Sequence, residues 1–214
     1  MTPASHRPGR LVVICGPMFA GKSTELLRRV KRARRARIEV LVLKPAVDTR
    51  TVASVRSHDG DELGAVTFAS AEELRRHVAR ATPTGRRLIA IDEAQFASWP
   101  GFVEAVLALV ADGDDVVVAG LDLDYAGAPF GPMPTLLCYA DEVEKLSAVC
   151  VQCGRDANRT QRLVDGRPAG PGPQVLVGAS ETYEPRCAAC WVSPEEVARS
   201  AASSPASGRP ARPA

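Results

Sequence analysis

Long apolar runs are missing from this chain of 214 residues. The longest, such as Leu11–Cys15 and Val116–Ala119, are strand-length and fall far below the roughly 20 residues of a bilayer span, so no membrane association is expected. Met1–Arg10 is polar, contains Pro and Gly, and lacks an apolar signal-peptide core. The protein is therefore expected to stay in the cytoplasm. An excess of one charge sign is missing as well: a net +2 gives no reason to expect a nucleic-acid or acidic-surface partner. The histidines His6, His58 and His77 are scattered without a zinc-ligand spacing, lysine supplies only 4 of the 27 basic residues, and no internal repeat is present. With 45% apolar content the chain can build an ordinary core for one medium domain, or one domain with a small appendage. Six cysteines in a reducing compartment point to metal binding or buried thiols before disulfides.

Against that plain background one stretch stands out. Gly16-Pro17-Met18-Phe19-Ala20-Gly21-Lys22-Ser23-Thr24 carries the phosphate-binding pattern G-x-x-x-x-G-K-[ST], with an apolar run before it and a helical pattern after it. Backbone N–H groups of such a loop wrap nucleotide phosphates, and the next helix presents its positive end to them. In this reading Lys22 reaches the β- and γ-phosphates of ATP and Ser23 holds Mg²⁺.

The flanking pattern alternates strand and helix. Leu11–Cys15, Ile38–Leu43, Leu88–Ile91 and Val116–Ala119 read as buried strands, with a short strand at Ala65–Phe68. Ser23–Ala36 is a helix with an apolar stripe of Leu26, Leu27, Val30 and Ala33, opposite a basic face read as a solvated side. Ser70-Ala71-Glu72-Glu73 is a capping box opening a second helix that reaches about Ala81, and Phe102–Val110 is a third. This predicts an α/β fold: a parallel sheet with helices on both faces and the phosphate loop at a strand's carboxyl end. Ala46–Gly64 and Ala126–Pro134 read as turn-rich loops. Past Cys150 the segments are short and strand-like, and Ser193-Pro194-Glu195-Glu196 opens a last short helix.

Two further constellations carry chemistry. Strand Leu88–Ile91 runs into Asp92-Glu93-Ala94-Gln95-Phe96, so that two carboxylates stand at a strand end where a Mg²⁺ shell and an attacking nucleophile need them. Cys150-Val151-Gln152-Cys153 and Cys187-Ala188-Ala189-Cys190 are two C-x-x-C knuckles suited to tetrahedral, structural Zn²⁺, with a redox pair as the competing reading. Cys15 and Cys138 read as packed thiols. Asp59, in the loop Ser57-His58-Asp59-Gly60, stands either near the metal or in an ordinary turn.

Taken in order, Gly-Pro-Met-Phe-Ala-Gly-Lys-Ser-Thr-Glu-Leu-Leu at 16–27, Asp-Glu-Ala-Gln-Phe at 92–96, Gly-Leu-Asp at 120–122, Pro-Phe-Gly at 129–131, Lys-Leu-Ser-Ala-Val-Cys at 145–150 and Glu-Thr-Tyr at 181–183 resemble the type II, zinc-containing thymidine kinases. The resemblance runs from about Arg10 to Trp191. It implies a RecA-like domain, a zinc-bearing lasso domain, a homotetramer, and ATP-dependent phosphorylation of the 5′-hydroxyl of thymidine or deoxyuridine. On this basis residues 1–9 are expected as a flexible tail, 10–143 as the ATP-binding domain, 144–201 as the lasso domain closing over the nucleoside, and 202–214 as a disordered tail. By the same resemblance Glu93 is the base; Gly16 through Thr24 and Asp92 through Gln95 bind the nucleotide. Met18, Phe96, Leu121, Tyr125, Phe130, Thr160 and Tyr183 wall the nucleoside pocket, and Leu176, Val177 and Gly178 belong to the base-covering segment.

Three departures from the family pattern bear on selectivity. They are Leu123-Asp124-Tyr125, Ala179, and the stretch Asp165–Gln174 with its three Pro and three Gly. Two rival readings remain. One is a DNA-associated P-loop ATPase with a zinc ribbon, using the basic helix Arg28–Arg37; the other is a non-catalytic zinc-ribbon interaction module.

Overall fold

Uninterrupted apolar runs become the inner strands of one parallel sheet in the computed structural model, which describes residues 7–46, 54–56, 62–80, 86–174 and 181–203. In chain order the elements are β1 (Leu11–Cys15), α1 (Lys22–Arg35), β2 (Glu39–Pro45), β3 (Ser54–Arg56), β4 (Glu62–Gly64), β5 (Val66–Phe68) and α2 (Ala71–Arg80). There follow β6 (Arg87–Ile91), a 3-10 turn (Ala94–Phe96), α3 (Phe102–Ala111), β7 (Asp115–Gly120), α4 (Met133–Tyr139) and β8 (Glu142–Lys145). Six strands pair in the order β5-β2-β6-β7-β1-β8, every pair parallel. Alternate residues of each inner strand face opposite layers. Val12 and Ile14 of β1 meet Leu26, Leu27, Val30 and Ala33 of α1, while Leu11, Val13 and Cys15 meet the layer built by α2, α3 and α4. This is the expected parallel α/β sheet with helices on both faces, and β1, β7 and β6 end side by side. Among the described residues no helix is long and apolar enough to cross a membrane.

Several expectations need correction. Ala46–Gly64 is more than loop, since β3 and β4 pair antiparallel within it. Helix α4 lies at the end of a Gly/Pro-rich stretch, with Pro132 and Pro134 at its start, where a missing N–H leaves no intrahelical bond unmade. β8 was not foreseen either. Its Glu142 and Glu144 are satisfied by Arg29 Nη2 of α1 at 2.8 and 2.7 Å, so charge pairing takes the place of an apolar run. The sheet ends at Lys145, just past the boundary at 143. At the N-terminus, Gly9 N–H bonds Val110 O at 2.8 Å and a Cβ there would meet Asp114 O at 1.8 Å, so this end of the expected tail lies against the sheet domain. Cys138 is exposed, not packed, because α4 turns it outward.

The remaining elements are small: β9 (Ala148–Val149), β10 (Asp156–Ala157), β11 (Arg159–Val164), β12 (Arg167–Pro168), β13 (Glu181–Arg186) and α5 (Pro194–Ser203). β11 is the centre of an antiparallel trio with β12 and β13. Asp165 and Gly166 both take positive φ, 50° and 73°, which suits the two-residue turn joining β11 to β12. Ser193 and Glu196 form the expected capping box: Glu196 N donates to Ser193 Oγ at 3.1 Å and Ser193 N to Glu196 Oε2 at 2.8 Å. α5 continues through Ser203, beyond the start expected for the tail at 202.

Candidate active site

The phosphate loop leaves β1 through Gly16, whose φ of 139° and whose fit under Leu146 O, 2.3 Å from a built Cβ, both demand glycine. Gly21, at φ 84°, caps α1. Between them Phe19 takes φ 65° and remains 45% exposed. Lys22 Nζ donates to Pro17 O at 2.6 Å, and Ser23 Oγ to Asp92 Oδ2 at 3.1 Å. Burial pulls the Lys22 ammonium below its usual pKa, opposed by the charges of Glu93, Asp92 and Asp122. Its bond to Pro17 O turns the Lys22 ammonium into the loop.

Glu93 is held in the left-handed region, φ 55° and ψ 35°, at the head of the 3-10 turn. Non-glycine residues in that region store roughly 1–3 kcal/mol of strain and persist where surrounding structure fixes them. The fixing residue is Gln95, which is fully buried. Its Nε2 donates to Glu93 Oε2 at 2.5 Å, and its Oε1 accepts from Leu121 N at 3.0 Å. Asp92, also buried, is pushed up to about 6 by burial and by the Glu93 charge, against the pull of Lys44 and of the Ser23 hydrogen bond.

One cavity of about 280 Å³ joins these groups to an apolar wall. Met18, Phe96, Leu121, Tyr125, Phe130, Thr160 and Tyr183, the seven expected wall residues, all line it, as do Phe19, Gly21, Lys22, Ser23, Thr24, Asp92, Glu93 and Gln95. Phe96 and Phe130 meet edge to face, 5.7 Å between centroids at 87°. Gly16, Pro17, Ala20 and Ala94 do not line it. Ala94 is fully buried in the sheet core, and Ala20 packs on the cysteine cluster. Leu176, Val177 and Gly178 lie outside the described residues, as do Asp59 and Ala179. Thr160 Oγ1 accepts the Met18 N–H at 3.0 Å, tying β11 to the phosphate loop.

Two wall residues escaped the sequence reading as site residues. Asp124 and Gln174 also line the cavity, with Gln174 Nε2 donating to Asp124 Oδ2 at 2.8 Å. Fifty residues of separation hid this pair. Asp124 itself stood out only as a departure from the family pattern.

The four thiols of Cys150, Cys153, Cys187 and Cys190 have their Sγ atoms all within 4.8 Å of one another. Tetrahedral Zn²⁺ with Zn–S bonds of about 2.3 Å needs sulfurs about 3.8 Å apart, and Cys153 and Cys187 already stand at 3.6 Å. The donor set therefore fits Zn²⁺. A hydrogen bond from Arg155 pulls the Cys153 thiol down to about 6, toward the thiolate a metal requires, while hydrogen bonding among the neighbouring thiols, Cys187 first, pushes Cys190 up to about 12.

Among solved structures the chain is similar to the genome packaging NTPase B204 from Sulfolobus turreted icosahedral virus 2 in complex with ATP-gammaS, at 15% identity and a TM-score of 0.42, over 64% of this chain and 73% of that one. The sulfate complex of the same NTPase gives 14% and 0.39, over 64% and 72%. Likeness at that level says nothing about substrate. The family model for thymidine kinase matches residues 9–191, spanning the phosphate loop, the Asp92–Glu93 pair and both cysteine knuckles. The chain belongs to the thymidine kinase family.

Proposed function

We propose that this chain transfers the γ-phosphoryl group of ATP to the 5′-hydroxyl of thymidine or deoxyuridine, giving the 5′-monophosphate and ADP for pyrimidine salvage. The single observation carrying this reading is that one cavity joins Lys22, Ser23, Asp92 and Glu93 to a Met- and aromatic-lined wall. Phosphoryl transfer needs neutralised phosphate charge, an aligned nucleophile and exclusion of water. Lys22, exchanging Pro17 O for phosphate oxygens, supplies the first. Ser23 and Asp92 would hold the Mg²⁺ that arrives with ATP. Glu93 accepts the proton of the 5′-hydroxyl as the new O–P bond forms and the bond from Pγ to the ADP oxygen breaks. Gln95 keeps the Glu93 carboxylate aimed at that proton. Zn²⁺ on Cys150, Cys153, Cys187 and Cys190 would supply folding energy and no chemistry, since four protein ligands leave no open position.

The apolar wall excludes purines by size, and it reads the 5-methyl group through contact worth about 1–3 kcal/mol, so discrimination of thymidine from deoxyuridine is modest. The family resemblance supports a homotetramer, and the polar N-terminal stretch supports a cytoplasmic location. ADP release measured with each common deoxynucleoside, with and without DNA, tests the reading: thymidine and deoxyuridine drive turnover and DNA is without effect. Nucleoside-independent, DNA-stimulated hydrolysis would instead identify a DNA-associated ATPase.

A further inference from the structure

Gly170-Pro171-Gly172-Pro173 has almost no side chain with which to anchor itself, yet it stands beside the cavity with its carbonyls held from outside. Tyr125 Oη donates to Gly172 O at 2.8 Å, and Arg162 Nη1 to Pro173 O at 2.7 Å. The next residue, Gln174, donates to Asp124. Tyr125 and Asp124 come from the loop after β7, so their bonds join the sheet half to the cysteine module, while Arg162 of β11 holds the segment from within that module.

The anchors are built for the task. Arg162 is 2% exposed, with its guanidinium 3.5 Å from the centroid of the Tyr125 ring, and among the described residues no carboxylate pairs with it. A buried cation without an acid is costly, and here carbonyl and ring face are what offset it. Gly172 packs its bare Cα against the guanidinium, since a Cβ there would come within 2.8 Å of Arg162 Nη2. Asp124, 6% exposed, has Oδ1 occupied by Ala126 N and Ala128 N, both at 2.9 Å, leaving Oδ2 for Gln174. A carboxylate only accepts, so the Gln174 amide is oriented by chemistry with its NH₂ toward Asp124.

We propose that Asp124, Tyr125 and Arg162 form a latch fixing segment 170–174, and with it the wall residue Gln174, beside the nucleoside site, which makes them positioning residues for nucleoside capture. Two of the three departures from the family pattern, Leu123-Asp124-Tyr125 and the Gly/Pro-rich stretch, are then one device. The part concerning capture rests on the function proposed above; the latch itself does not.

The test is an exchange of partners. Gln174→Glu sets two carboxylates against each other, whereas Asp124→Asn combined with Gln174→Glu restores a hydrogen bond in the opposite direction, because Asn keeps its oxygen on the Ala126 and Ala128 amides and offers its NH₂. Hydrogen–deuterium exchange on the full-length, metal-replete protein without ligand reads the latch directly. Exchange across 165–174 rises about tenfold in Gln174→Glu and returns to the wild-type rate in the double variant. In steady state Gln174→Glu raises the thymidine KM about tenfold with the ATP KM within about twofold, and the double variant recovers. Unchanged exchange in Gln174→Glu, or no recovery in the double variant, overturns the latch. Recovered exchange in a protein that phosphorylates no nucleoside would leave the latch standing and sink the kinase reading alone.

Discussion

On either face of the sheet the helices bury continuous apolar clusters, Leu26, Leu27 and Val30 on one side and Leu74, Phe102, Val106 and Leu136 on the other, whereas the apolar cluster of the cysteine module is small, built on Ala148, Cys150, Ala157 and Cys187. The sheet half can hold its shape by removing apolar surface from water. The cysteine module cannot; it has the β11 pairings, polar bonds back to the sheet half and a four-thiol cluster whose donors fit a metal. Cooperation runs both ways, because Ala20 of the phosphate loop packs on the cysteine cluster and Met18 N–H bonds Thr160 of β11. Each half thus leaves part of the cavity wall for the other to place.

The largest expected effect breaks this contrast open. Structural zinc contributes on the order of 10 kcal/mol or more to modules with so little core. Chelation should remove one Zn²⁺ per chain and abolish amide protection across 148–190 while β1, β6 and β7 remain protected. Metal analysis with hydrogen exchange checks both, and stable Cys150–Cys153 and Cys187–Cys190 disulfides in metal-free protein would refute the zinc assignment.

A smaller effect belongs to the sheet half alone. Asp92 is raised in the folded state from 3.8 to about 6, so its contribution to stability is fully present below about pH 4 and is lost as pH rises through about 6. Without Mg²⁺, Asp92→Asn should therefore be more stable than wild type at pH 8, by on the order of 1–3 kcal/mol, with the gap shrinking at pH 5. Paired thermal melts at the two pH values measure it; an equal gap at both would remove burial and the Glu93 charge as the cause.

The smallest effect lies at the seam. Tyr125→Phe gives up one hydrogen bond to Gly172 O and keeps the ring under Arg162, a loss of roughly 1 kcal/mol. Thymidine kcat/KM should change less than about tenfold. A loss of several orders of magnitude would mean that the hydroxyl reads the substrate itself.

The same contrast explains what was legible in the sequence. β1, α1, β6, α3 and β7 announce themselves because burial on the sheet demands apolar residues at fixed period, and the phosphate loop and Asp92-Glu93 follow from their place at strand ends. β8 was hidden because its Val143 is exposed while its glutamates are met by Arg29, the reverse of the usual alternation. α4 was hidden by its prolines. Gln95 was legible as part of a motif, but its bracing of Glu93 depends on Leu121 N, supplied by the end of another strand. The Asp124–Gln174 contact depends on how two distant loops meet, which no local pattern encodes.

Whether Glu93 is the base is tested most directly by Glu93→Gln, which keeps the side chain's shape and its position beside Gln95 while removing the capacity to take a proton. Transfer of labelled γ-phosphate from ATP to thymidine, measured alongside equilibrium binding of both substrates, should show unchanged affinities and a kcat lowered by about 10²–10⁴, the usual span for loss of a general base. A kcat near that of wild type would contradict the assignment.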